Sequence, residues 1–111
     1  MNYNNKRFRP IASSANSETD SETVFHYQQT GNILTATYQS RAIQFGQLLG
    51  IVDELGKIEM RYHQINSAGK FMTGTCTSIA EILPTGKIRL HETWKWTSGD
   101  FSEGTSILEE M

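Results

Sequence analysis

A single cysteine, Cys76, stands among 111 residues, so no internal disulfide can staple the chain. A reducing compartment is the simpler setting for it. The chain must therefore rely on its own core. At this length one domain burying roughly 60–70% of its unfolded surface suffices without a metal or disulfide. Charge of one sign is also lacking: 10 basic and 12 acidic side chains leave a formal net charge of -2. That balance offers no handle to a polyanionic or polycationic partner. The short basic cluster of Lys6, Arg7 and Arg9 is offset by the acidic residues that follow, which disfavours nucleic acid as a partner. No apolar run approaches the ~18 residues of a membrane span. The longest, Leu48 to Val52, is interrupted by Gly50. No apolar stretch follows the N-terminus, so no secretory signal is expected. These absences together predict a cytoplasmic protein, monomer or homodimer, with neither membrane nor nucleic acid among its partners.

Motifs that name a reaction are missing too. His26, His63 and His91 are the only histidines. None lies in a His-x-Glu-x-x-His or paired-cysteine spacing, so neither a metal site nor a cofactor is expected. Cys76, in the middle of Thr75-Cys-Thr-Ser78, reads as a buried inert thiol. A nucleophile needs a contacting histidine and an oxyanion hole. Helix is hard to place anywhere. The segments between turns are short and rich in Thr, Ile, Tyr, Phe and Trp, and Gly50 argues against a helix over 48–55.

What is present is alternation. In Lys87–Thr97, Ile88, Leu90, Glu92, Trp94 and Trp96 share one face, while Lys87, Arg89, His91, Thr93, Lys95 and Thr97 share the other. A strand with one face in a core reads this way. Turn signals recur at Thr30–Asn32, Asp53–Gly56, Asn66–Gly69, Leu83–Gly86 and Ser98–Asp100. The intervening strands are expected near 23–29, 32–39, 42–52, 57–65, 70–79, 80–83, 86–97 and 104–110. Residues 1–22 are read as an N-terminal arm, small and polar over 12–22, with a short first strand at Phe8–Ile11 that Pro10 places at an edge. Residues 23–111 are read as the β-barrel domain. Gly56-Lys57, Gly69-Lys70 and Gly86-Lys87 each open a strand, an echo expected from hairpin construction. A meander of about eight antiparallel strands leaves two exposed edges unless it closes. The expected fold is therefore all-β, a single up-and-down meander barrel.

Alternation predicts Leu34, Ala36 and Tyr38 inward on one strand, and Ile43, Phe45, Gln47, Leu49 and Ile51 inward on the next. Ile58, Met60, Tyr62 and Gln64 point inward on a third. The faces of the strands holding Phe25 and Tyr27, and Phe71 to Ser78, stay ambiguous. This interior is polar and aromatic together. Glu92 falls on an apolar face between Leu90 and Trp94, and a buried carboxylate needs a partner or changes its pKa. Two readings are open. One is a cross-barrel hydrogen-bond network tying Glu92 to Tyr62 or Arg61. The other is a small cavity binding a small-molecule ligand, lined by Tyr62, Gln64, Glu92, Trp94 and Trp96. A protein-interaction module, and an enzyme using Glu92 and Tyr62 for acid–base chemistry, remain as alternatives.

The runs Leu90–Asp100, Ser21–Tyr27, Met60–Asn66 and Thr73–Ser78 carry a resemblance. The chain is similar to a family of small bacterial proteins of uncharacterised function, sometimes labelled N-acetylglutamate synthase. The resemblance covers most of the chain after residue 7 and implies no catalytic residues. An acetyl-CoA-dependent acyltransferase of the common kind needs a pyrophosphate-binding turn opening a helix. No Gln/Arg-x-x-Gly-x-Gly/Ala run occurs in this sequence. In architecture alone, the expected barrel looks like the calycin, lipocalin-like and streptavidin barrels.

Overall fold

The strand with the clearest alternation keeps its expected phase. In Ile88–Trp96, Ile88, Leu90, Trp94 and Trp96 are buried while His91, Thr93 and Lys95 are exposed. The computed structural model describes residues 1–111. Its strands are β1 (Lys6–Ser13), β2 (Phe25–Thr30), β3 (Ile33–Tyr38), β4 (Ile43–Val52), β5 (Ile58–Asn66), β6 (Phe71–Ile82), β7 (Ile88–Trp96) and β8 (Glu103–Glu110). Each pairs antiparallel with the next, and β8 returns to β1, closing an eight-stranded barrel. Closure gives every strand two neighbours and leaves no free sheet edge.

The recurrent Gly-Lys pairs are one turn used three times. Gly56, Gly69 and Gly86 donate their N–H to Asp53 O, Asn66 O and Leu83 O at 3.1, 2.9 and 2.8 Å. The lysine that follows each accepts a backbone N–H from the same Asp53, Asn66 or Leu83. Gly56 and Gly86 sit at φ 84° and 88°, where an L side chain is strained.

Three features differ from the sequence-based expectation. The first strand is longer than Phe8–Ile11 and is a barrel stave: β1 pairs with β2 through Lys6 to Phe8, and with β8 through Phe8 to Ser13. A bulge between Pro10 and Ala12 accommodates the proline in this ladder. The two segments expected at 70–79 and 80–83 are a single strand, β6, paired with β7 without a break from Gly74 to Ile82. The face of β4 is the reverse of the one expected. Gly46, Leu48, Gly50 and Val52 are buried, whereas Phe45, Gln47, Leu49 and Ile51 are exposed. An irregularity between Ile43 and Phe45 adds one residue to the strand and flips the phase after the buried Ile43. Leu49 and Ile51 thus lie beside Ile33 on the outer surface, the first two each 57% exposed.

Candidate functional site

The lower end of the barrel is filled by aromatic rings. Phe8, Tyr27 and the N-terminal Tyr3 are fully buried, with Phe8 and Tyr27 centroids 5.0 Å apart. Tyr3 donates its hydroxyl to Gly56 O at 2.5 Å. Burial, with Asp53 nearby, pushes that hydroxyl up to about 12.

Higher up, the wall is built from ring-on-glycine pairs. Tyr38 faces Gly46 across β3–β4, Tyr62 faces Gly74 across β5–β6, and Trp94 faces Gly104 across β7–β8. A Cβ on any of these glycines would overlap the opposing ring. Each ring therefore lies against the wall instead of standing across the lumen. The space so preserved is a cavity of about 60 Å³. One water needs roughly 10–15 Å³ measured in this way, so the cavity has room for several waters or a compact ligand.

Glu92 belongs to this cavity. Register places Ser78, Glu92 and Ser106 side by side across β6, β7 and β8. Ser78 Oγ donates to Glu92 Oε2 at 2.5 Å, and Trp94 Nε1 donates to Ser106 Oγ at 2.9 Å. Burial pushes the Glu92 carboxyl up to about 7, against a smaller downward pull from Ser78. No cation pairs with Glu92, and its Oε1 has no protein hydrogen-bond partner. Tyr27 also lines the cavity, and its hydroxyl is buried without a partner. Burial and the neighbouring Glu92 hold it well above its usual range.

The segment between β1 and β2 crosses the upper end. Trp96 Nε1 donates to Asn16 O at 3.2 Å, and Ser40 Oγ donates to Glu18 O at 2.9 Å. The Glu18 carboxyl accepts from Gln64 Nε2 and Asn66 Nδ2 at 2.8 and 3.2 Å. Gln64 Oε1 in turn accepts the Tyr38 hydroxyl at 2.8 Å. Ser17, Glu18 and Thr19 thereby become part of the cavity lining.

The residues expected from the sequence, Tyr62, Gln64, Glu92, Trp94 and Trp96, all line this one cavity. The expected hydrogen bond from Tyr62 or Arg61 to Glu92 is replaced by Ser78. Tyr62 lies edge-on to Trp96, 5.6 Å between centroids, and Arg61 is on the outer face. His63 and His91 also face outward, bonded to Gln47 and Glu81. Cys76 is buried, and burial pushes its thiol up, as suits an inert group. Sequence reasoning missed Tyr27, Ser78, Ser106 and Glu18. The Ser78–Glu92–Ser106 row exists only through register, which no single strand encodes. Tyr27 has the one usable signal, its spacing of two from Phe25.

An antiparallel meander of eight strands, closed on itself and hollow at one end, is a barrel of the calycin type. The sequence matches the Avidin-like protein family over residues 1–111, and the chain belongs to that family. No curated protein matches it.

Proposed function

We propose that this barrel binds a compact small molecule in its interior, held by Glu92 Oε1 and the Tyr27 hydroxyl against the rings of Tyr62, Trp94 and Trp96. One observation carries the reading: two polar groups of the residues that line the cavity, the Tyr27 hydroxyl and Glu92 Oε1, lack protein partners. Tyr27 has no partner, and Glu92 uses one oxygen only. A buried polar group left unpaired costs about 1–3 kcal/mol, and a ligand that supplies the partner recovers that cost. Apolar walls with few convergent polar groups are the usual make-up of a small-molecule site. Membership in the Avidin-like family supplies the architecture and is consistent with the reading.

Acid–base catalysis by Glu92 with Tyr62 has weaker support, because the Tyr62 hydroxyl makes no hydrogen bond to Glu92. Acyl transfer from acetyl-CoA has none, since no helix opens on a pyrophosphate-binding turn.

The test is a panel of small lactams, carboxamides and amines, followed by tryptophan fluorescence and thermal shift. Binding should quench Trp94 and Trp96 saturably and raise Tm, since a ligand selective for the folded state stabilises it. Glu92→Gln and Tyr27→Phe should weaken the response while near-UV circular dichroism stays native. A panel without a single saturable response, or responses indifferent to both substitutions, removes the proposal.

A further inference from the structure

The cavity's charge is one-sided. Its lining holds two carboxyl groups, Glu92 in the wall and Glu18 at the mouth, and no lysine, arginine or histidine. Neither carboxyl belongs to an ion pair: all five pairs in the molecule lie elsewhere, Lys6–Glu110 and Arg89–Glu109 among them. Around these carboxyls stand the rings of Phe25, Tyr27, Tyr38, Tyr62, Trp94 and Trp96. Phe25 and Tyr38 have centroids 4.7 Å apart, and Trp94 and Trp96 5.7 Å. The unpartnered Tyr27 hydroxyl gives a second, independent sign that an occupant belongs here.

An anionic ligand would meet two carboxyls and no compensating charge. A neutral amide would satisfy Tyr27 and leave Glu92 without a counter-charge in a low-dielectric space. A positive charge among ring faces is attracted by the rings alone, and here it also gains a carboxylate. Resting on the reading of the cavity as a ligand site, we infer that its ligand class is a compact organic cation, a protonated amine or quaternary ammonium, seated against Glu92 within the aromatic wall.

Acidity agrees with this placement. Glu92 stands near 7 when no cation is beside it, and an adjacent positive charge favours its ionised form. The ionisable groups facing it are Tyr27 from β2, Tyr38 from β3, Tyr62 from β5 and Cys76 from β6. Burial pushes all four upward, so they stay neutral around pH 7. Glu18 is the remaining acid on the lining. Cation binding should release a proton below about pH 7, and affinity should fall as the pH is lowered through that value.

The experiment is isothermal titration calorimetry of the full chain at pH 8 and pH 6 with choline, tetramethylammonium and benzylamine. Each cation is matched to an uncharged isostere; for choline this is the alcohol in which carbon replaces the quaternary nitrogen. Choline should bind about tenfold or more tightly than its isostere, equivalent to ~1.4 kcal/mol, and more weakly at the lower pH. Glu92→Gln should bring choline and isostere to parity with the fold intact by circular dichroism. Glu18→Gln should reduce choline binding by a smaller factor. The pH comparison on the unaltered chain does not depend on how either variant folds. Equal affinity for cation and isostere overturns the cation inference and leaves the ligand reading standing. Silence from all three cations at roughly millimolar concentration also overturns it, and the neutral lactams and amides then decide the ligand reading on their own.

Discussion

At the scale of the residue, Glu92 is the group whose surroundings matter most. Its carboxyl stands at about 7 in the folded chain, against 4.5 for the free side chain. Folding thus favours the protonated form. The associated stability is fully present below about pH 4.5, declines as the pH rises, and is lost once the pH passes about 7. The full loss is at most roughly 3 kcal/mol, reduced where cavity water screens the charge. Glu92→Gln removes the titration and keeps the shape. Urea midpoints should therefore fall between about pH 4.5 and pH 7 in the unaltered chain and stay level in the variant; parallel curves would place Glu92 in contact with bulk water. Tyr27 makes the converse case. Its hydroxyl is buried without a partner, so Tyr27→Phe should leave stability unchanged or raise it by up to about 1–3 kcal/mol. A loss above about 1 kcal/mol on urea unfolding would reveal a hydrogen bond that the structure lacks.

At the scale of the element, the glycines of β4, β6 and β8 give the lumen its shape. Tyr38, Tyr62 and Trp94 lie flat because Gly46, Gly74 and Gly104 present no Cβ beneath them. Gly74→Ala should cost about 1–3 kcal/mol by overpacking, and should turn the Tyr62 ring toward the cavity. Pairing it with Tyr62→Ala should recover part of that cost, because the two residues are in direct contact and their effects are not additive. Additive losses in denaturant unfolding would mean that ring and glycine do not touch. The irregularity near Gln44 in β4 works at the same scale. It sends Leu48 and Val52 inward, and leaves Leu49 and Ile51 beside Ile33 on the outer surface.

At the scale of the whole molecule, closure is the governing feature. β1 is the stave between β2 and β8, and it contributes the fully buried Phe8. Removing residues 1–13 should leave β2 and β8 as unpaired edges and take Tyr3 and Phe8 from the core. The expected outcome is loss of the cooperative unfolding transition together with concentration-dependent light scattering. A truncated chain that still unfolds cooperatively as a monomer would show that the other seven strands suffice. The opposite end depends on a different kind of contact. There Asn16 and Glu18 hold the crossing segment through hydrogen bonds to Trp96, Gln64 and Asn66.

The sequence by itself determined the strand class, the turns and the faces of β3, β5 and β7. Those depend on local spacing: a glycine where φ must be positive, and large apolar side chains at every second position of Ile58–Tyr62 and, Glu92 excepted, of Ile88–Trp96. It therefore also placed Tyr62, Gln64, Glu92, Trp94 and Trp96 on one interior. It failed on the length of β1, on the unbroken run of β6, and on the face of β4, where one inserted residue inverts the phase and the inward positions include glycines, which carry no apolar signal. The partner of Glu92 lay beyond it for a related reason. Ser78 and Glu92 are 14 residues apart and meet because β6 and β7 pair in a single register. Whether that carboxyl faced a cation, a hydroxyl or a cavity was decided by closure, since only a closed wall brings Tyr27, Cys76, Glu92 and the mouth residue Glu18 around one space.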